Sequence, residues 1–332
     1  MIFHAHEILL EASRIAPKVK THMHLLQYRQ LLTTGIASLE AVIHDANCPE
    51  HTKAYTSYIL AQVLFAETES LGRVLSALGQ GMILAERNGL SDLQLQMECL
   101  NVRALCRTNR NAAMLYCNKC LDKYPEMHGN YAFHTLQLLH FDLTLDNSLP
   151  QAFAISKSWE ELPDSIPKSF LLLYSISKSL DYNVGNYEES QDTLEKMRMF
   201  EESSAMLETV PQVVMLRHMV TLLVTLRRDD DTPVKKASEA LETVLRTLDR
   251  TAKTNGNVWE NWNRDGTIKL LGEQGSTFSI QWLSQNQCES FCHYLLGLAG
   301  LRHHASLEYG RGLLQDCLEL INLNEEDAPG GF

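Results

Sequence analysis

The sequence has no apolar run long enough to cross a bilayer. Its longest, Val213 to Leu226, is fourteen residues and contains Arg217 and His218, whereas a spanning helix needs about twenty apolar residues. The amino terminus lacks a basic start, and Glu7 and Glu11 interrupt its apolar residues, so it does not read as a signal peptide. No Asn-x-Ser/Thr site occurs, and eight cysteines in 332 residues are not a disulfide framework. A reducing compartment, cytosol or nucleus, is expected. Positive charge is also scarce. Lys and Arg number 29 against 41 Asp and Glu, a net charge of −12, and basic residues cluster only as pairs such as Arg227-Arg228 and Lys235-Lys236. Direct nucleic-acid binding leaves a basic footprint, and it is not expected here.

Catalytic signatures are missing too. The histidine pairs His4-x-His6, His22-x-His24 and His303-His304 lack the spacing of a zinc-protease helix, and His134 and His140 lie six apart. Ser175-x-x-Lys178 stands without the companion elements that a penicillin-recognising enzyme needs. Gly79-Gln-Gly81 lacks the third glycine of a dinucleotide loop. Cys117-x-x-Cys120 is the one tempting motif. It has no second CxxC and no βαβ context, so both cysteines read as small buried packing residues, like Cys292 and Cys317. Nothing assembles an acid, a base and a nucleophile. The chain is expected to be non-enzymatic, with no cofactor and no metal. A helical metal-binding protein or enzyme is the alternative of a different class.

What the sequence does contain is a repeat. A small or modest residue is followed four positions later by an apolar one, and three later by another. The triplets are Gly35-Leu39-Val42, Val74-Leu78-Gly81, Ala113-Cys117-Cys120, Ala152-Ser156-Trp159, Ser190-Leu194-Met197, Ala237-Leu241-Val244 and Gly310-Leu314-Cys317. They recur at 39, 39, 39, 38, 47 and 73 residues. The i, i+4, i+7 spacing is one stripe of an α-helix. Before most triplets lies another helical stretch: 54–67, 97–106, 131–145, 169–182, 211–226 and 288–303. Turn residues separate the two, and Pro49, Pro125 and Pro163 follow second helices, where a helix should stop.

Each unit therefore reads as a helical hairpin. The small–apolar–small stripe on the second helix is the packing pattern of tetratricopeptide (TPR) repeats, at a somewhat longer period. The expected fold is all-α: a superhelical array of about six or seven irregular TPR-like hairpins. It is expected to form a single domain over 1–323, with an insertion loop at 251–286 and a flexible acidic tail at 324–332. Strand signals are poor. The insertion is rich in Gly and Asn and holds Trp259, Trp262 and Trp282, which read as caps over a groove between hairpins.

Helical arrays present extended concave surfaces suited to elongated peptides. First helices line that side in TPR arrays, so partner contacts are expected from Tyr55, Tyr58, Gln62, Arg103, His134, Gln137, Tyr174, Lys178, Arg217 and His293. The overall acidity suggests a partner of basic or mixed charge.

The stretch from Ala61 to Leu78, AQVLFAETESLGRVLSAL, resembles the first clear repeat of the smaller, helical-repeat subunit of the cohesin loading complex. So does Cys99 to Leu121, ending NAAMLYCNKCL, and so does the late order Phe278-Ser-Ile-Gln-Trp-Leu-Ser, then an apolar helix, then 305–320. The order of elements matches over most of the chain. Members of that family are generally longer, and the chain would correspond to roughly their amino-terminal half. The resemblance implies a non-catalytic scaffold in the nucleus. It would grip the extended amino-terminal segment of the large loader subunit and support cohesin loading and sister-chromatid cohesion, with no membrane or direct nucleic-acid contact. A scaffold subunit of another assembly, of ubiquitin-ligase or signalosome type, is the alternative.

Overall fold

A computed structural model of the chain describes residues 2–16, 21–124, 130–182, 187–204, 210–227, 230–255, 267–271, 277–281, 283, 285–302 and 307–327. Among them are fourteen α-helices in seven successive pairs. These are α1 (Ile2–Ile15) and α2 (His22–His44), α3 (Glu50–Glu67) and α4 (Leu71–Arg87), α5 (Ser91–Cys106) and α6 (Arg110–Lys123), and α7 (Tyr131–Leu145) and α8 (Leu149–Ser158). Then come α9 (Ile166–Asp181) and α10 (Tyr187–Ser204), α11 (Pro211–Leu226) and α12 (Asp231–Asn255), and α13 (Gln285–Arg302) and α14 (Leu307–Asp327). Between α12 and α13, β1 (Thr267–Leu271) and β2 (Thr277–Gln281) pair as a two-stranded sheet. The chain divides into two compact units. One is built on Met1–Leu143, the other on Thr144–Leu271 and Phe278–Asp327. Each is described by itself.

Helix boundaries follow local chemistry. The side chains of Thr21, Asn109 and Ser165 accept the N–H of His24, Ala112 and Lys168, capping α2, α6 and α9. Pro150, Pro167 and Pro211 occupy first turns, where a missing N–H costs nothing. Helix α4 ends at Gly89, whose φ of 67° lets Leu90 N–H return to the Ala85 carbonyl at 2.9 Å.

All seven small–apolar triplets lie on second helices or, for Trp159, on the 3-10 turn Trp159–Glu161 that follows α8. Every member is buried except Leu314, which is half-buried. The physical reason for small residues is visible at Gly81, where a Cβ would sit 2.8 Å from Met97 Cε and 3.0 Å from Ser57 Cβ. At Gly35 the same space is taken by Leu9. First helices are buried on several sides. Phe170 to Leu173 of α9 are four successive buried residues, and in α11 Gln212 to Arg217 are all buried. Second helices are amphipathic. Helix α12 buries Val234, Ala237, Leu241, Val244 and Leu248 in strict 3–4 alternation. Each such Val or Leu side chain contributes roughly 1.5–3 kcal/mol when fully buried.

Three features differ from the sequence expectation. Helix α1 supplies a first helix for the first pair, with Ala5 and Ala12 buried. Part of the insertion is regular: α12 continues to Asn255, and Ile268 and Leu270 of β1 are buried two apart. Phe278 of β2 is buried with its ring 5.8 Å from Phe170. Five-residue strands are too short for their alternation to stand out. Helix α14 runs to Asp327, into the stretch expected as a tail. Trp259, Trp262, Trp282 and the His303-His304 pair lie outside the described residues.

The helix crossings give a test with opposite signs. A Cβ on Gly310 would meet only backbone, with Leu301 N at 2.8 Å, Gly297 O at 2.9 Å and Gly300 C at 3.0 Å. A Cβ on Gly79, inside α4, would meet nothing within 4 Å. Gly310→Ala is therefore expected to lose about 1–3 kcal/mol by forcing α13 and α14 apart. Gly79→Ala should gain about 0.5–1 kcal/mol from helix propensity. Urea midpoints of the two variants check both; a stabilised Gly310→Ala would rule out the close crossing.

Candidate binding face of the first helices

On α3 the residues left open are spaced as one stripe. Besides Glu50 and Glu67 at its ends, His51, Tyr55, Gln62 and Ala66 are exposed, with Tyr58 and Ile59 half-buried between them. Helix α5 is buried almost throughout and shows only a narrow edge, including Gln96 and Arg103. The two edges meet. Tyr58 hydrogen-bonds Gln62 on its own helix and lies close enough to Arg103 to feel its charge. Burial nonetheless pushes the Tyr58 phenol up to about 12. Gln137 and His140 of α7 are also half-buried, and burial lowers the pKa of the His140 imidazole.

The ten residues expected to contact a partner all lie on first helices, but the structure sorts them. Tyr55, 49% exposed, and Gln62 are open; Tyr58, Arg103, Gln137, Tyr174, Lys178 and His293 are half-buried. His134 is only 2% exposed and Arg217 only 7%. Both correct the expectation of solvent-facing contacts. His134 Nδ1 lies 3.2 Å from Gln137 Oε1, so it positions that amide. Arg217 donates to His218 Nε2 at 3.0 Å. On α9 the Lys178 ammonium lies 5.4 Å above the Tyr174 ring and 3.5 Å from Asp181. His293 Nδ1 is buried without a hydrogen-bond partner among the described residues. The half-open Gln96 and His140 escaped the sequence reading, although they stand at stripe positions of α5 and α7.

Thiols and a carboxylate fill the back of this face. Glu98, 5% exposed, accepts from the Tyr116 hydroxyl, from Cys120 Sγ at 3.6 Å and from Lys123 Nζ at 3.4 Å, joining α5 to α6. Cys99 donates to the Ala132 carbonyl at 3.3 Å and Cys117 to the Leu136 carbonyl at 3.7 Å. Burial raises the pKa of the Cys99 thiol to about 12 and pushes the Cys117 and Cys120 thiols up as well. Protonated thiols that donate hydrogen bonds are poor nucleophiles, and here they serve as packing groups. Among the described residues, no group of three or more His, Cys, Asp or Glu is placed to hold a metal ion. Among the same residues, no helix is long and apolar enough to cross a membrane.

In the second unit, α8, α9 and α10 leave a cleft of about 270 Å³. Elsewhere a large side chain fills the space beside a small one. Here Ser156, Ser175, Ser179 and Ser190 line the same space, with Phe153, Leu172 and Ile176 among the other walls. Ion pairs close its margin: Lys157–Glu189 at 2.9 Å and Lys196–Glu160 at 3.7 Å.

The sequence profile described as cohesin loading factor matches residues 1–330. No curated protein gives a significant sequence match. Among solved structures the chain resembles Scc4, from the crystal structure of Scc4 in complex with Scc2n and Ctf19n. The TM-score is 0.75 at 15% identity, over 99% of this chain and 54% of that one. At this identity the likeness is one of fold, and the chain spans about half the length of that structure.

The buried groups give two tests. Burial first, and the Arg217 charge second, depress the His218 imidazole from its ordinary 6.5 to about 3. Between those values the unfolded chain binds the extra proton, so this stabilisation is complete above 6.5 and is lost as pH falls toward 3. From pH 7 to pH 5 the wild type should lose on the order of 1–2 kcal/mol more than His218→Gln, read from urea midpoints; parallel losses would refute the buried neutral imidazole. Brief alkylation with iodoacetamide should label half-buried Cys48 ahead of Cys99, Cys117, Cys120 and Cys288. Peptide mapping checks the order, and early labelling of Cys117 or Cys120 would contradict their packing role.

Proposed function

The chain belongs to the cohesin loading factor family, and on that premise we propose that it is a non-catalytic subunit of a cohesin loader. It holds an extended amino-terminal segment of the large loader subunit along the open edges of its first helices. It works in the nucleus, in support of cohesin loading and sister-chromatid cohesion. The observation that carries the reading is the family match over residues 1–330, joined to a fold like that of Scc4, a protein crystallised with Scc2n and Ctf19n.

Physical features support a binding rather than a chemical role. The open edges of α3 and α5 carry phenols, amides and a guanidinium, which give area and hydrogen bonds without a nucleophile. Tyr55, Tyr58, Gln62, Arg103, Gln137, Tyr174, Lys178 and His293 are the proposed contacts. His134 and Arg217, being buried, act by holding their neighbours in place. An extended segment suits the arrangement, because each hairpin adds its own contacts along the length of the ligand.

The experiment is co-expression of this chain with the amino-terminal segment of the large loader subunit of the same organism, followed by size-exclusion chromatography. A one-to-one complex is expected. Two folded proteins eluting separately would overturn the reading.

A further inference from the structure

Of the nine prolines in the chain, only Pro233 follows a serine or threonine, in the run Asp231-Thr-Pro-Val-Lys-Lys. A threonine followed by proline, with a lysine three residues on, is the pattern that a proline-directed protein kinase reads. The pattern has a physical basis. Proline has no N–H, so a pocket without an acceptor takes it and rejects residues whose N–H would be left unpaired. The ammonium three residues on offers the enzyme a charge to pair with.

The fold presents this run at its surface. Thr232 is the second residue of α12 and is exposed, as are Lys235 and Lys236. Thr232 N–H donates to Asp230 Oδ1 at 3.1 Å, and Pro233 has no N–H, so neither residue donates to the helical ladder. Its hydroxyl is also unlike its neighbours. Thr221, Thr225, Thr243 and Thr247 each donate to a carbonyl of their own helix, whereas among the described residues the Thr232 hydroxyl donates to none. A rival stands one turn further along. Lys235-Lys-Ala-Ser238 is the pattern of a kinase that reads preceding bases, but Ser238 is half-buried and donates to the Lys235 carbonyl at 2.8 Å inside the helix. The structure therefore favours Thr232.

Two contacts oppose the enzyme. Val234 is fully buried, and Arg302 at the end of α13 donates to Asp231 Oδ1 at 2.8 Å and to the Leu226 carbonyl at 3.0 Å. A kinase that binds residues on both sides of Thr232 in extended form must lift Val234 and release Asp231. That is a local opening of one helical turn, of the kind that folded proteins undergo at helix ends.

We propose that Thr232 is a phosphorylation site for a proline-directed protein kinase that needs a base three residues on, and that Arg302 sets how readily the first turn of α12 opens to it. The step moves the γ-phosphoryl group of ATP to Thr232 Oγ1. The bond from Oγ1 to phosphorus forms, the bond from the γ-phosphorus to the bridging oxygen breaks to leave ADP, and the hydroxyl proton passes to the kinase's base. The folded state accommodates the product. The phosphate adds about 1.5–2 negative charges at the amino end of a helix, where negative charge is favoured, with Lys235 and Lys236 about one turn further on. The proposal does not depend on the loader reading.

The test incubates the full chain with ATP, magnesium and a purified cyclin-dependent kinase bound to its cyclin. Intact mass and peptide mapping follow the phosphate. One phosphate on Thr232 is expected. Thr232→Ser should keep it, while Thr232→Ala and Pro233→Ala should lose it. Lys235→Ala should slow the reaction about tenfold, and Ser238→Ala should leave it unchanged. Arg302→Gln releases Asp231 and should speed the reaction about threefold or more. A synthetic peptide of residues 226–240, which has no α13 to hold it, should react faster than the full chain. A peptide that is phosphorylated beside a full chain that is not, in wild type and Arg302→Gln alike, would overturn the proposal. So would phosphate on Ser238 in place of Thr232, equal rates for wild type and Pro233→Ala, or no reaction of chain and peptide together. Equal rates for wild type and Arg302→Gln would overturn the part given to Arg302.

Discussion

Close approach between neighbouring helices is the constraint on which the rest of the structure depends. A helix pair can bury both partners only if something small stands where their axes come nearest, and the second helices supply it at regular spacing. Met97 enters beside Gly81, Leu9 beside Gly35, and the backbone of α13 itself lies against Gly310. Once the second helices fix these distances, the first helices are enclosed on several sides and are left with a narrow open edge. The chemistry of that edge is thus a residue of the packing: whatever is not needed inside is what a ligand meets.

Enclosure also governs the polar groups behind the edge. Glu98 can stay in the interior because three donors reach it, two from α6 side chains and one from the lysine at that helix's end. A buried carboxylate without such partners would be costly. The cysteines belong to the same economy of space. They are small, they donate weakly to carbonyls, and their position in apolar surroundings keeps them protonated. A CxxC pair that looks reactive on paper is here a pair of spacers one turn apart.

Much of the fold was legible because the helical stripe has a simple cause. Five triplets at a near-constant interval, and two more after longer gaps, locate seven second helices, and the stretches before them locate most of the first. Helix α1 escaped because its buried positions, Ala5 and Ala12, are small and sparse. The β pair escaped because it hides in a segment dominated by Gly and Asn. For the binding face, sequence placed the residues on the right helices but could not say which were covered. His134 and Arg217 are polar, so pattern alone puts them in water, whereas the neighbouring helices bury them. Charge is uneven in a way the average hides: the acidic excess lies almost wholly beyond residue 143.

The serine-walled gap beneath α10 has a mechanical side. Elsewhere a hairpin is clamped by dispersion and by apolar area removed from water, and neither responds much to dissolved ions. Helix α10 buries Leu194 and Met197, but it also borders an underfilled space closed by two exposed ion pairs, and exposed pairs are softened by the surrounding electrolyte. The stiffness of this margin therefore depends in part on the medium. In concentrated salt the margin of α10 loosens, while the glycine-locked crossing of α13 and α14 keeps its spacing.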